Sequence, residues 1–173
     1  MKSGIARENI IFTLCFCLAG DKVLMLRRAK EPKMGKWNGV GGKIEPGETP
    51  REAVARETVE ETGLDLDDAT VTYGGVLSWE GTINQKHDHA GGHVYIARFD
   101  EKVAWGDRRA TREGLLAWQP ITWACDEANA EVVHNIPHFL PPMLSSPPIH
   151  CHCTYRDGEP AGLTIEPMTT QIL

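Results

Sequence analysis

Carboxylates dominate residues 42–64, and their spacing is the first feature of the chain with chemical meaning. Glu57, Glu60 and Glu61 lie three and one positions apart, so a helix with 3.6 residues per turn would present all three from one face. Two like charges about 4 Å apart repel by roughly 4 kcal/mol at an effective dielectric near 20. The cluster therefore predicts a bound cation that neutralises these carboxylates.

Hard oxygen donors of this kind suit Mg²⁺, with Mn²⁺ as the alternative. Such an ion neutralises phosphate charge, orients a polyphosphate and lowers the pKa of a coordinated water. The expected chemistry is hydrolysis of a phosphate compound. Neighbouring carboxylates titrate as a coupled set, so the pattern chooses neither the general base nor the number of metal ions.

One helix must carry these side chains, and the sequence marks both of its ends. Thr49 as N-cap, Pro50 at the first helical position and Glu52 three residues after the cap form a capping box. Gly63 is placed to end the helix as a left-handed residue. The side opposite the carboxylates is expected to pack against a sheet, through Ala55, Val59 and Thr62.

Around this helix the sequence predicts a mixed β-sheet. Strand-like runs occupy 10–18, 22–27, 69–79, 93–99 and 114–118, and a final hairpin spans 149–155 and 161–167 around Asp157-Gly158. Loops are expected at 29–36 and 80–92, and a short helix at 126–133 precedes a proline-broken helix. This order of elements predicts an α+β fold in one domain over 1–173, an α/β/α sandwich with the sheet between helices.

Composition limits the partners and the compartment. With 173 residues, a net charge of −6 and no long basic run, the chain lacks the footprint of a protein that binds a nucleic-acid polymer. No apolar run approaches the roughly 20 residues of a membrane helix, and the apolar start is interpreted as a strand rather than a signal peptide. Five cysteines at strand-like spacing favour a reducing cytoplasm. Monomer and homodimer both stay open.

The acidic segment carries a specific resemblance. Gly42, five residues, Glu48, seven residues and then 56–64, RETVEETGL, resemble the Nudix box, the signature of hydrolases that cleave nucleoside diphosphates linked to another group. The match departs at Thr58, where the family prefers an aliphatic residue, so we expect slightly looser packing there. The alternative is an ordinary helix with exposed glutamates.

The resemblance implies a role for each residue of the segment. Glu48 and Arg56 would form a supporting pair that orients the helix against the preceding loop. A further acidic ligand from outside the segment is implied just before the strand at 114–118, with a solvated loop glutamate as its alternative. The implied metal ligands are the backbone carbonyl of Gly41 and the carboxylates of Glu57, Glu60, Glu61 and Glu113.

The flanking sequence resembles the oxidised purine nucleoside triphosphatases, through Thr13, Arg28 and residues 36–43, KWNGVGGK. By this resemblance Thr13 lies in the substrate site, Arg28 meets the triphosphate, and Asn38 and Asn135 read the base. Asn38 can offer both a donor and an acceptor to a purine edge, and a guanidinium fits phosphate oxygens. Their alternatives are a turn residue at 38, a surface cation at 28 and a helix cap at 135.

The implied activity is hydrolysis of a triphosphate such as 8-oxo-dGTP at the β-phosphorus, which releases nucleoside monophosphate and pyrophosphate and sanitises the nucleotide pool. Two rivals stay open. One is a Nudix hydrolase of ADP-ribose, dinucleoside polyphosphates or nucleotide sugars, which shares the acidic segment and differs in the pocket. The other is a non-catalytic nucleotide sensor, which the complete carboxylate set disfavours.

Three tryptophans and two histidine-containing motifs have alternative interpretations. Trp37, Trp118 and Trp123 are interpreted as core residues, with Trp123 over a base as the alternative. Two further motifs have the composition of a transition-metal site, His87-Asp88-His89 with His93, and residues 150–153, HCHC. The first lies in a Gly-rich loop, with a substrate lid as its alternative. In the second, His150 and His152 share one face of a strand and Cys151 and Cys153 the other, so they do not converge. A polar loop and an edge hairpin are the expected structures.

Overall fold

A computed structural model describes residues 7–31, 33–83 and 85–169. The strands are β1 Ile10–Ala19, β2 Lys22–Arg28, β3 Trp37–Asn38, β4 Thr70–Ile83, β5 Lys86–Phe99, β6 Arg109–Ala110, β7 Gly114–Pro120, β8 Ile149–Arg156 and β9 Glu159–Pro167. The helices are α1 Pro50–Thr62, α2 Ile121–Ala124 and α3 Ile136–Ser145, with single 3₁₀ turns at Arg7–Asn9, Leu66–Asp68 and Glu101–Val103.

These strands form one mixed sheet in the order β6-β7-β2-β1-β5-β4-β8-β9, with β3 beside β2. The pairs β1/β5 and β4/β8 are parallel and the others antiparallel. One face of the sheet buries α3, through Phe139 and Met143 against Phe16, and the other buries Val54 of α1 against Cys15. Helices cover both faces, so the predicted α+β sandwich is confirmed.

Helix α1 begins and ends as its sequence indicates. The Thr49 side chain accepts from the backbone N–H of Glu52 while the Glu52 carboxylate accepts from Thr49, and Gly63 closes the helix at φ 76°. These contacts satisfy backbone groups that the helix itself leaves unpaired. Both predicted boundaries are confirmed.

The predicted buried face of α1 is confirmed only in part. Ala55 packs against the core and Thr62 is partly buried, whereas Val59 is 46% exposed. The fully buried residues are Ala53, Val54 and Thr58, and Glu57 and Glu61 face the loop before the helix. Thr58 tolerates burial because its hydroxyl donates to the Val54 carbonyl at 2.7 Å.

Two further expectations are wrong in the second half of the chain. Residues 80–83 and 86–92 are strand, not loop, since β4 and β5 pair as far as Ile83 and Lys86. Residues 126–133 form turns, because the side chains of Asp126 and Asn129 accept backbone N–H groups two residues on and compete with a helix. The predicted C-terminal hairpin is confirmed, and it turns at Asp157 and Gly158, both with positive φ.

No helix of the described residues is long and apolar enough to cross a membrane.

Candidate active site

A cavity of about 650 Å³ opens at one end of the sheet beside α1. Three kinds of side chain line it. The acidic ones are Glu57, Glu60, Glu61 and Glu113; the basic ones are Arg28, Lys33 and Arg112; the apolar ones are Phe12, Leu14, Leu77, Trp79 and Val94. The apolar set comes from β1, β5 and β4, which are adjacent strands. The cavity therefore joins an acidic region to an apolar sheet face, and basic side chains line it as well.

Arg56 is the organising cation of the acidic region. Its Nε and Nη2 donate to the two carboxylate oxygens of Glu48 at 2.6 and 2.9 Å, and Nη2 also donates to the Lys43 carbonyl at 3.2 Å. Hydrogen bonds from Arg56 hold the pKa of Glu48 at about 2, helped by the backbone N–H of Glu45. This bidentate pair fastens the loop before α1 to the helix, in the arrangement that the sequence predicted for Glu48 and Arg56.

The same guanidinium reaches two of the proposed metal ligands. Arg56 Nη1 lies 2.8 Å from Glu57 Oε1 and 3.4 Å from Glu60 Oε2. Gly42 permits this approach, since a Cβ at that position would lie 2.5 Å from the Glu57 carboxylate. Glu57 is therefore held against the loop, while Glu60 is more than half exposed.

Glu61 is the most perturbed carboxylate of the site. Burial raises its pKa to about 7; the Gly41 N–H, which donates to Oε2 at 2.9 Å, lowers it, and the charges of Glu57 and Glu113 raise it again, with Arg28 opposing them. A carboxyl group whose pKa is raised in this way lies in surroundings that disfavour its charged form, mainly through burial and to a smaller extent through the neighbouring carboxylates. A divalent cation would balance the charge of these carboxylates.

The carboxylate oxygens are donors that suit a hard divalent cation, but in this structure they contact Arg56 and the Gly41 N–H. Among residues 7–31, 33–83 and 85–169, no three carboxylate, imidazole or thiol groups stand in metal-ligand geometry. The reason is local: Arg56 holds Glu57 and Glu60, and the Gly41 N–H holds Glu61. Metal binding would exchange these contacts for oxygen–metal bonds.

Glu113 and Gly41, predicted from outside the central segment, both line the cavity. Glu113 lies just before β7, and its Oε1 is 3.4 Å from Lys30 Nζ. Gly41 sits so close to β1 that a Cβ would lie 2.2 Å from the Thr13 carbonyl oxygen. The structure thus brings the five predicted metal ligands to one cavity.

Three of the four predicted substrate residues line the same cavity. Thr13 is almost fully buried, and its hydroxyl lies 3.4 Å from the Gly42 carbonyl. Asn38 is the last residue of β3, and its Oδ1 accepts the Gly39 N–H at 2.8 Å. It lines the cavity together with Arg28.

Asn135 lies elsewhere, which corrects the prediction of a second base-reading residue. Its side chain is 6% exposed, and Nδ2 lies 3.6 Å from Cys153 Sγ at the contact between α3 and β8. Its side chain does not cap α3 either. A polar residue before a helix was expected at the surface, but the C-terminal hairpin buries it.

The tryptophans occupy different places: some pack in the core, and one lines the cavity. Trp37 is 2% exposed and packs edge-to-face on Trp123 with ring centroids 6.0 Å apart, so the core interpretation is confirmed and Trp123 does not line the cavity. The aromatic residues that do line it, Phe12 and Trp79, were missed. Their rings are stacked at 5.9 Å and 29°. Alternation along β1 was the available signal for Phe12; the link to Trp79 needs the β1-β5-β4 order.

Comparisons with known proteins agree with this geometry. A model of the NUDIX domain matches residues 11–141. The uncharacterized Nudix hydrolase YvcI of Bacillus subtilis is 46% identical over 76% of this chain and 77% of that protein. The human 8-oxo-dGDP phosphatase NUDT18 is 29% identical over 78% of this chain and 39% of its own length, so the chain spans about two fifths of that relative. The MutT protein from Bacillus halodurans has the same fold, with a TM-score of 0.67 at 23% identity over 91% of this chain and 98% of that chain.

Proposed function

The chain belongs to the NUDIX domain family, and we propose that it hydrolyses a phosphoanhydride bond of oxidised purine nucleoside triphosphates such as 8-oxo-dGTP in a metal-dependent reaction. The observation that carries the proposal is one cavity that holds four carboxylates, three cations and an aromatic sheet face. Each of these matches one part of such a substrate with its metal.

The carboxylates supply the metal-binding part. Mg²⁺, or Mn²⁺ in its place, would neutralise phosphate oxygens and lower the pKa of a coordinated water when bound. The residues that would hold it are Gly41, Glu57, Glu60, Glu61 and Glu113. Arg56, fixed by Glu48, keeps Glu57 and Glu60 beside the cavity before the ion arrives.

Cations and aromatic rings supply the substrate-binding part. Arg28, Lys33 and Arg112 line the cavity and would pair with phosphate oxygens left uncovered by the metal. Trp79, backed by Phe12, offers a flat apolar surface for a base, and stacking of this kind contributes about 1–3 kcal/mol per base. The Asn38 amide would donate to the purine edge.

We propose attack of water at the β-phosphorus, with nucleoside monophosphate and pyrophosphate as products and sanitation of the cytoplasmic nucleotide pool as the role. The thiols of all five cysteines are free, which suits a reducing compartment. A second candidate substrate is 8-oxo-dGDP, because the human relative is named for its action on that compound.

Purified protein with Mg²⁺ and a panel of nucleotides tests the proposal. We expect pyrophosphate and 8-oxo-dGMP from 8-oxo-dGTP, at a higher kcat/KM than for dGTP. Preference for 8-oxo-dGDP with release of inorganic phosphate would favour the second candidate. Turnover of ADP-ribose, a dinucleoside polyphosphate or a nucleotide sugar alone would overturn both, and no turnover of any compound would favour a sensor.

A further inference from the structure

The sheet brings together two histidine motifs that lie about 60 residues apart in sequence. Strand β4 lies between β5 and β8, so Glu80 is paired with His89 on one side and with Thr154 on the other, and Ser78 is paired with His152. Paired residues of neighbouring strands point to the same face of a sheet. His89, Glu80 and His152 therefore share one face across three adjacent strands.

His152 has a ring nitrogen that needs a partner. The residue is 9% exposed. Within the described part of the chain its Nε2 makes no hydrogen bond, and it lies 3.3 Å from Glu80 Oε1, an ion-pair contact if His152 is protonated. Its other nitrogen, Nδ1, lies 2.8 Å from Ser78 Oγ. A lone pair on this nitrogen would face the carboxylate unfavourably, and either a proton or a metal ion between the two atoms removes that conflict.

Ser78 can leave the lone pair of that nitrogen available. Its hydroxyl has one proton and lies 2.7 Å from His150 Nε2 as well as 2.8 Å from His152 Nδ1. In one of the two arrangements that this geometry allows, His150 Nε2 accepts the serine proton. Ser78 then accepts from His152 Nδ1–H, which puts the lone pair on Nε2, toward Glu80.

We propose that His89, Glu80 and His152 bind a borderline divalent transition metal, Zn²⁺ or an ion of similar preference. Imidazole nitrogens and a carboxylate are suitable donors for such an ion, and Ser78 fixes the tautomer of His152 as outer-sphere partners of metal ligands do. His93 is on the same face, but it pairs with Val76, four residues from Glu80 along β4, which is roughly 13 Å along the strand, so it is not a ligand.

Binding requires one movement. His89 is exposed and its Nε2 accepts from Asn9 Nδ2 at 2.7 Å, so the ring must leave Asn9 and turn onto Glu80. Cβ atoms of directly paired residues are about 4.5–5.5 Å apart, which is within reach of such a rotation. The bound ion would tie β5 to β8 and thereby hold the C-terminal hairpin on the sheet.

Cu²⁺ is the probe, and its paramagnetic resonance spectrum shows nitrogen ligands directly. The full chain carrying Glu60→Gln, which weakens the separate acidic site, is expected to bind one Cu²⁺ with splitting from imidazole nitrogen. Glu80→Gln and His89→Ala, both at exposed side chains, should each lower that affinity roughly tenfold or more. His138→Ala on α3 is the matched control and should change nothing.

Thermal melting gives a second reading that does not depend on activity. Zn²⁺ should raise the Tm of the Glu60→Gln protein and of its His138→Ala derivative, and not that of the Glu80→Gln or His89→Ala derivatives. Equal Cu²⁺ affinity in all variants would overturn the proposal. So would loss of nitrogen splitting in His87→Ala with Glu80→Gln unaffected, since that would place the ion on the exposed His87 and His89 pair alone.

Discussion

The Gly41 N–H donates to Glu61 Oε2 at 2.9 Å, which joins the loop beside β1 to the last turn of α1. This bond places a buried carboxylate of the helix at the cavity. Because burial outweighs the bond, the pKa of Glu61 rises to about 7. The raised pKa of Glu61 therefore makes the stability of the metal-free protein depend on pH.

We predict that Glu61 makes the metal-free protein less stable as the pH rises. The pKa of Glu61 is about 7 in the folded state and 4.5 in the unfolded reference, so the folded state binds the proton more tightly. Its contribution to stability is present below pH 4.5 and is lost between pH 4.5 and 7. Burial lowers the pKa values of His93, His134 and His150, which act in the opposite direction, so the Tm measured with a chelator should fall across this window relative to the Tm of Glu61→Gln. A wild-type profile identical to that of Glu61→Gln would contradict the assignment.

Metal binding should release a proton for the same reason. Near pH 6.5 the Glu61 carboxyl is largely protonated, and a cation must displace that proton to use the oxygen. Calorimetric titration with Mn²⁺ in two buffers of different ionisation enthalpy measures the proton count. We expect a release that declines toward zero by pH 8.5; equal heats in both buffers at pH 6.5 would contradict it.

Arg56→Lys should impair turnover more than binding of the nucleotide. Lysine cannot make the bidentate contact with Glu48 while also reaching Glu57, so the carboxylates lose their positions. Small misplacement of reacting groups costs up to about 100-fold in rate, and we expect kcat to fall by about 10- to 100-fold. Arg51→Lys, at an exposed position of α1, is the control. An unchanged kcat in Arg56→Lys would refute a positioning role.

Trp79→Leu should weaken substrate binding. Loss of about 1–3 kcal/mol of base stacking corresponds to a KM for 8-oxo-dGTP roughly 5- to 150-fold higher, with a smaller effect on kcat. Trp123→Leu tests the residue that the sequence suggested for stacking, and it should leave KM unchanged because Trp123 packs on Trp37. The reverse pattern would move the base-binding surface to Trp123.

Thr58→Val should keep activity and change stability little. The buried hydroxyl donates to the Val54 carbonyl, which also accepts the helical N–H of Thr58. The substitution therefore removes the hydroxyl together with its bond and leaves no buried group unpaired, which is close to neutral. We expect the free energy of unfolding to rise by up to about 1 kcal/mol. A loss larger than this, measured by urea denaturation, would show that the hydroxyl has a structural role.

The sequence predicted those parts of the protein that depend on local rules. The cap at Thr49, the end at Gly63 and the pair of Glu48 with Arg56 follow from spacing within one segment. The tertiary arrangement decided the rest. Trp79 reaches the cavity only because β4 lies two strands from β1, and Asn135 is buried only because β8 packs beneath it.

The polar side chains of residues 80–92 led to the wrong prediction of a loop. Residues 80–92 contain Glu80, His87, Asp88 and His89, which are typical of a loop, yet 80–83 and 86–92 extend the β4/β5 hairpin. Backbone pairing satisfies the strands, so their side chains need not be apolar. The same extension creates the face that carries His89 and Glu80.

The central claim is that the carboxylates of α1 bind the metal that drives hydrolysis. Pyrophosphate release from 8-oxo-dGTP with Mg²⁺, compared between wild type, Glu60→Gln and the exposed control Glu127→Gln, tests it most directly. We predict turnover by wild type and Glu127→Gln, and loss of it in Glu60→Gln at an unchanged Tm in the presence of chelator. Wild-type turnover by Glu60→Gln would contradict the claim.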